Sequence, residues 1–155
     1  MSVKYPFESI SSENTVPGNS LIGTDMLSQK YTNFVYPLKV STVLPLAIFD
    51  LYVKNSIGYN IYTHDFSFGS RQWTVPQTTV DMYLRTSFEK KVGSSWTTVK
   101  SLDPVRSWAY QLQQSNTYHA TSSGTYRTAA NHKIYSEGII VLNVTDYSDE
   151  MTIII

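Results

Sequence analysis

Apolar and polar residues alternate with a period of two from Val80 to Phe88. Successive side chains of a strand point to opposite faces of its sheet, so this alternation predicts a strand with one buried face. The residues expected on the buried face are Val80, Met82, Leu84, Thr86 and Phe88. A polar segment from Glu89 to Ser95, with a glycine, predicts a longer loop. A second β-rich run with Trp96 and Val99 predicts the returning strand of a hairpin.

Turn signals recur about every ten residues along much of the chain, which is typical of a sandwich or barrel. The segment from Ile57 to His64 alternates like a half-buried strand. The segment from Thr42 to Val53 shows helix-like spacing, yet Pro45 and its β-branched residues favour a strand. We therefore predict an all-β fold, a single antiparallel β-sandwich of the immunoglobulin-like or jelly-roll kind over residues 31–155. Residues 1–30 are expected to form an N-terminal arm or leader.

Two late segments carry more apolar surface than a single strand face can bury. The run from Ile139 to Leu142 is apolar on both faces, and a strand of this kind must be covered on both. The run from Ile153 to Ile155 would be an aggregation-prone edge if it were left in water. We predict that both segments contribute to self-association by strand or arm exchange. The residues assigned to this contact are Ile139, Val141, Ile153, Ile154 and Ile155.

The aromatic residues divide into core candidates and contact candidates. Large aromatic side chains dominate core energetics, and three are expected to pack in the core or across strands: Trp96, Trp108 and Tyr126. Trp73 lies close to Arg71 and Gly69 in a turn-like segment, which favours a contact with a sugar or a neighbouring subunit. We predict a ligand contact formed by Trp73, Tyr62 and Arg71, with structural packing of Trp73 as the competing interpretation.

The charge balance narrows the classes of partner. The 155 residues include 12 Lys and Arg against 12 Asp and Glu, with both signs spread along the chain. A nucleic-acid-binding protein needs a basic stripe, so nucleic acid is not an expected partner. The apolar run from Val40 to Val53 contains Pro45 and Asp50 and is too short to span a bilayer. The first residues contain no apolar core of a signal peptide.

Catalytic and metal-binding patterns are weak. The three histidines, His64, His119 and His132, have no ligand-like spacing, so surface or hydrogen-bonded roles are expected. There is no Cys, no nucleophile elbow and no phosphate-binding glycine loop. Carboxylates such as Asp81, Glu89 and Asp103 could act in pairs, but Asp81 falls on the solvent side of its strand. We expect no catalytic, metal or cofactor residues and no enzymatic activity.

Several short segments resemble a family of small exported proteins of Gram-positive bacteria. The segments that carry the resemblance are Tyr83-Leu84, Ser95–Ser101, Gly124–Arg127 and Tyr135–Gly138. In that family a "Trp-x-x-Val-Lys" segment is followed by "Gly-x-Tyr-Arg" and a short "Tyr-x-x-Gly" turn. The resemblance covers about residues 80–138. It implies a small antiparallel β-sandwich without an established activity, and it does not extend to either end of this chain.

Together these observations favour a structural or interaction protein. We predict a non-catalytic β-sandwich that associates with copies of itself, as a subunit of a fibre, a surface appendage or a phage or virus particle. The alternative is an extracellular module that binds a carbohydrate or a cell surface through Trp73 and exposed tyrosines. Either function would place the protein outside the cell or within an assembled particle.

Overall fold

The computed structural model describes residues 27–40 and 47–155, with side chains from Phe49 onward. All the regular secondary structure in these ranges is β-strand. The ten strands are β1 (Leu27–Val40), β2 (Ala47–Asn60), β3 (Asp65–Val75), β4 (Val80–Val92), β5 (Ser95–Ser101), β6 (Val105–Ala109), β7 (Gln111–His119), β8 (Gly124–Ser136), β9 (Ile139–Tyr147) and β10 (Met151–Ile153). The described ranges contain no helix with the length and apolar character required to cross a membrane.

The strands form two antiparallel sheets that pack together, so the predicted all-β class is confirmed. One sheet has four strands in the order β1-β2-β3-β7. The other has six, with β4 and β8 paired along most of their lengths at its centre. β5 and β6 follow each other along the outer edge of β4, and β9 and β10 follow each other along the outer edge of β8. The chain crosses between the sheets after β3, after β6 and after β7.

The predicted hairpin is present, with a shorter turn than expected. β4 continues through Lys90 and Lys91, which pair with Thr97 and Trp96 of β5. The connection is therefore Gly93-Ser94, and Gly93 adopts a positive φ of 61°, which glycine accepts without strain. The predicted buried face of β4 is confirmed by Met82, Leu84, Thr86 and Phe88, each 0% exposed.

Two separate hydrophobic clusters fill the space between the sheets. The first contains Phe49, Leu51, Val53, Met82, Leu84, Leu112, Ala130, Ile134, Val141 and Leu142. The second contains Ile57, Tyr59, Phe66, Phe68, Phe88, Ala120, Tyr126, Met151 and Ile153. Along β2, β4 and β8 a buried polar residue lies between the two clusters: Asn55, Thr86 and Thr128. A polar layer thus divides the interior.

The predicted N-terminal arm lies mostly outside the described residues. β1 begins at Leu27, so the strand starts before the predicted boundary at residue 31. The predicted strand from Thr42 to Val53 is described from Ala47, where it forms the first half of β2. Its inward side chains Phe49, Leu51 and Val53 are buried in the first hydrophobic cluster.

Of the three aromatic residues predicted to pack in the core or across strands, Tyr126 lies in the core and Trp96 packs across strands against Arg127, whereas Trp108 does neither. Tyr126 is 1% exposed and belongs to the second cluster. Trp108, however, is 70% exposed on the outer side of β6, and Trp96 is half-buried on the outer side of β5. Trp108 and Leu112, which a single alternating strand would place on one face, lie in different sheets because the chain leaves the six-stranded sheet at Tyr110 and enters β7.

Candidate interaction surfaces

One end of the outer face of the six-stranded sheet carries an apolar row. Trp108 of β6 pairs with Asp81 of β4, Asp81 pairs with Tyr135 of β8, and Tyr135 pairs with Ile140 of β9. Directly opposed residues share a face, so these four side chains cross the sheet in line, over about 14 Å. Trp108 is 70% exposed and Ile140 is 44% exposed. We call Trp108, Tyr135 and Ile140 the apolar row.

Arg106 fixes the centre of this row. Its guanidinium donates two hydrogen bonds to the Asp81 carboxylate, at 3.0 and 2.8 Å, and lies 3.7 Å from the centre of the Tyr135 ring. The hydrogen bonds from Arg106 lower the pKa of Asp81, although partial burial opposes that shift. The same contacts raise the pKa of Arg106. Asp81, the carboxylate that lies between Trp108 and Tyr135, is therefore paired in the two-bond geometry that an arginine and a carboxylate prefer.

A second aromatic cluster lies further along the same face. The Arg127 guanidinium lies between two rings, 4.0 Å from the centre of Trp96 and 3.8 Å from that of Tyr147. Its Nε donates to Glu89 at 2.7 Å. Because Arg127 and Glu89 are both largely covered, this cluster ties β4, β5, β8 and β9 together on the outside of the sheet. Arg127 thus already covers one face of each of the two rings.

The predicted ligand contact is only partly assembled. Trp73 on the outer face of the four-stranded sheet stacks on Tyr52, with ring centres 5.4 Å apart, and Arg71 lies 4.8 Å from its ring centre. Trp73 therefore offers little free surface for stacking on a sugar. Tyr62 is 70% exposed in the turn before β3, about 25 Å along the strand from Trp73. The structure thus brings Arg71 and Trp73 together but not Tyr62.

The predicted self-association residues divide into buried and exposed sets. Val141 and Ile153 are each 1% exposed in the protein's own interior, so neither is available to a second copy in this fold. A β-bulge explains Val141: Ile134 pairs with Leu142 and Tyr135 with Ile140, so Val141 is an extra residue and both it and Leu142 turn inward. The four apolar residues therefore do not alternate regularly between the two faces of the strand, as the sequence suggests they should.

The remaining three of these residues are exposed. Ile139 is 60%, Ile154 69% and Ile155 49% exposed. Ile139 begins β9 opposite Ser136, on the other side of the strand from Ile140, so it is exposed at the edge of the sheet but does not belong to the apolar row. Ile155 accepts and donates backbone hydrogen bonds with Ser123 Oγ, at 3.4 and 2.8 Å, which holds this segment beside the loop that precedes β8.

His132 lies in the interior rather than at the surface. Its Nδ1 is 2.7 Å from Gln72 Oε1, and its Nε2 is 2.8 Å from Asp146 Oδ1. Gln72 also donates from Nε2 to the Tyr83 carbonyl, so its Oε1 is the acceptor for the Nδ1–H of His132. The three side chains are buried. They connect β3 of one sheet with β8 and β9 of the other.

The other two histidines make local contacts near the end of β3. His64 Nδ1 is 2.7 Å from the Tyr59 hydroxyl, and burial raises the pKa of Tyr59, with smaller contributions from Tyr126 and Asp65. His119 Nδ1 is 2.9 Å from Asp65, and this hydrogen bond is the main cause of the lowered pKa of Asp65. Within the part of the chain that the structure describes, no three His, Cys, Asp or Glu residues are grouped as metal ligands.

Trp108 is the surface residue that sequence reasoning missed. Its cross-strand partner Asp81 belongs to the polar side of the alternation in β4, which indicates that Trp108 lies on the outer face of the sheet. That signal depends on the register between β4 and β6, which the sequence does not display. No protein-family model, curated protein or solved structure matches this chain. The resemblance to exported proteins of Gram-positive bacteria stays a prediction.

Proposed function

We propose that this protein is a non-catalytic interaction protein that associates with further copies of itself through the outer face of its six-stranded sheet. The observation that carries the proposal is the exposure of Trp108 and Ile140 at the two ends of the apolar row. Trp, Tyr and Arg are enriched at the energetically dominant positions of interfaces. All three types occur here, as Trp108 and Tyr135 of the row and as Arg106 against the Tyr135 ring. A role as a subunit of a fibre, an appendage or a virus particle belongs to the same proposal.

The row suits a second copy because its two ends are complementary. An indole lies at one end, on Trp108, and a branched aliphatic side chain lies at the other, on Ile140. A two-fold axis through the middle of the row would place Trp108 of one copy against Ile140 of the other, twice. Asp81 is already paired with Arg106, so this contact would bury no unpaired carboxylate.

Strand exchange receives less support than face-to-face contact. Ile153 pairs with Gly124 in its own sheet and is buried in its own second cluster, so exchange would first have to break those contacts. The contact on the outer face needs no such opening. Two crossings between the sheets, from β3 to β4 and from β7 to β8, support the finer assignment to a Greek-key sandwich of the immunoglobulin-like or jelly-roll kind.

Sedimentation velocity over a range of protein concentrations tests the proposal. Trp108→Ala is expected to weaken association about tenfold or more, equivalent to about 1.4 kcal/mol, without changing the circular dichroism spectrum. Tyr62→Ala is the matched control because Tyr62 is also 70% exposed but lies on the β2–β3 turn. A wild-type protein that stays monomeric at all concentrations would refute self-association. Equal effects of the two substitutions would refute the assignment to the row.

Carbohydrate binding is a second candidate, and Trp108 favours it more than Trp73. Trp108 is 70% exposed, so much of its indole is available for stacking on a sugar ring. Glycan-array binding that disappears in Trp108→Ala while the protein remains monomeric would support this function. Binding that disappears in Trp73→Ala but persists in Trp108→Ala would contradict it.

A further inference from the structure

The outer face of the four-stranded sheet, opposite the apolar row, contains a polar depression of about 260 Å³. It lies between the middle of β2 and the middle of β7, with β3 as its floor. The residues that line it include Lys54, Ser56, Gly69, Arg71, Gln113 and Ser115. They belong to two adjacent rows across the sheet, one with long side chains and one with short side chains.

The row of short side chains creates the depression. Ser56 pairs with Gly69, and Gly69 pairs with Ser115. A side chain at position 69 is sterically excluded, because a Cβ there would lie 2.8 Å from the Gln114 carbonyl oxygen and 3.1 Å from Ser115 Cβ. The close approach of β7 to β3 therefore requires glycine, and the same glycine leaves the floor open to solvent.

The neighbouring row places two cations side by side. Lys54 and Arg71 are directly opposite each other on β2 and β3, and Gln113 continues the row on β7. The nearest carboxylate of this face on β3 is distant from Arg71: Asp65 is about 20 Å away along the strand.

Arg71 is held in position without a carboxylate partner. Its Nη2 donates to Gln111 Oε1 at 2.8 Å, and its guanidinium lies 4.8 Å from the Trp73 ring centre. Among the described residues no acid pairs with it. An arginine whose orientation is fixed by neutral contacts keeps its charge and several donors available, and loses little entropy when it binds.

We infer that this depression binds an oxyanion, a carboxylate, sulfate or phosphate group carried by a small solute or an acidic sugar. Arg71 would supply a fork of donors, Lys54 a second positive charge and Gln113 an amide donor. The hydroxyls of Ser56 and Ser115 would contact the remaining oxygens. A ligand that binds only the folded protein also stabilises it, so binding and stability are coupled. This inference does not depend on self-association through the other sheet.

A titration monitored by ¹H–¹⁵N correlation spectra tests the inference, with inorganic phosphate, sodium sulfate and sodium glucuronate as probes. Saturable shifts of the Gly69 and Ser115 amides are expected with at least one probe. Sodium chloride at matched ionic strength controls for screening, and glucose controls for contacts to a neutral sugar. Saturation by phosphate or sulfate alone would point to an inorganic group, and tighter binding of glucuronate would point to an acidic sugar.

Arg71→Gln is expected to weaken binding at least tenfold. Arg85→Gln is the matched control because Arg85 is an exposed arginine of the opposite sheet whose guanidinium also donates to a neutral side chain, that of Ser101. If Arg71→Gln does not fold, Gln113→Ala should still weaken binding several-fold. Shifts that stay linear, that chloride reproduces, or that Arg85→Gln reduces as much as Arg71→Gln would overturn the inference.

Discussion

At the scale of single residues, His132 combines burial with two polar partners on different strands. A buried pair such as His132 and Asp146 costs desolvation, and removal of one partner leaves the other without compensation. Asp146 is especially sensitive to the loss of His132, because its Oδ2 already has no hydrogen-bond partner among the described residues. The identity of residue 132 should therefore matter more to folding than that of any surface histidine.

We predict that His132→Leu, which roughly preserves volume, lowers the free energy of unfolding by about 3 to 5 kcal/mol. Urea denaturation measures this loss. The double variant His132→Leu/Asp146→Leu should recover part of it, because it leaves no unpaired buried carboxylate. His119→Leu is the control, since His119 and Asp65 are both exposed. A double variant with the summed loss of its two single variants would contradict this account.

Asp81 gives the protein a defined dependence on acid. Arg106 lowers the pKa of Asp81 in the folded state, so the pair stabilises the fold above the unfolded-state pKa of about 3.9. That stabilisation is lost as the pH falls through the lower, folded-state pKa. Asp81→Asn should therefore be less stable than wild type at about pH 6 and should approach it in strong acid. Arg106→Gln should converge in the same way, and a difference that persists in strong acid would refute the assignment.

At the scale of elements, Gln114 supplies hydrogen bonds at the point between β5 and β6 where the chain stops pairing with β4. The chain breaks its pairing with β4 around Asp103-Pro104, and the Thr86 amide on β4 loses a strand partner there. Gln114 Oε1 accepts from the Thr86 N–H at 2.9 Å, and its Nε2 donates to the Asp103 carbonyl at 2.6 Å. One side chain from the opposite sheet thus bridges the Thr86 N–H and the Asp103 carbonyl, while the Thr86 carbonyl keeps its strand bond from the Leu102 N–H.

We expect Gln114→Ala to cost about 1 to 3 kcal/mol, because it leaves the buried Thr86 N–H without an acceptor. Amide hydrogen exchange at Thr86 should also accelerate. The neighbouring Gln113→Ala, at an exposed position of the same strand, should stay within about 0.5 kcal/mol of wild type. Unchanged exchange at Thr86 in Gln114→Ala would show that the bridge does not protect this amide.

Elements with regular alternation were predictable, and irregular ones were not. The alternation in β4 fixed both the strand and its buried face, and the Glu137-Gly138 turn, with φ of 51° and 77°, follows the predicted turn chemistry. The bulge opposite Ile134 and Tyr135 reversed the expected environment of Val141. The change of sheet at Tyr110 likewise reversed the expected environment of Trp108, which is exposed rather than buried. Both events shift the phase of a period of two, which a local pattern cannot report.

At the scale of the whole molecule, the candidate sites depend on strands that are distant in the sequence. Arg71 and Trp73 stood out in the sequence as contact candidates. Their environment, however, comes from β2 and β7, and Gln113 of β7 meets Arg71 across a separation of 42 residues. The apolar row likewise needs β4, β6, β8 and β9 in register. Residue types can suggest chemistry, but pairing order decides which residues meet.

The divided interior makes one prediction about how the fold responds to mutation. Ile134 belongs to the first cluster, and Phe88 and Phe66 belong to the second, with their ring centres 5.0 Å apart. Ile134 is about 20 Å along β8 from Thr128, the residue opposite Phe88. Substitutions in different clusters share no partner, whereas substitutions of the two rings remove the same contact. The first kind should be additive and the second should not.

We therefore expect the losses in Ile134→Val and Phe88→Leu, about 1 to 2 kcal/mol each, to sum in the double variant within about 0.5 kcal/mol. Phe66→Leu/Phe88→Leu should instead deviate from its sum by about 0.5 kcal/mol or more, because the second substitution finds the ring contact already absent. Urea denaturation with an unchanged slope would measure both cycles on one cooperative unit. Strong coupling between Ile134 and Phe88 would mean that the polar layer transmits packing between the clusters rather than separating them.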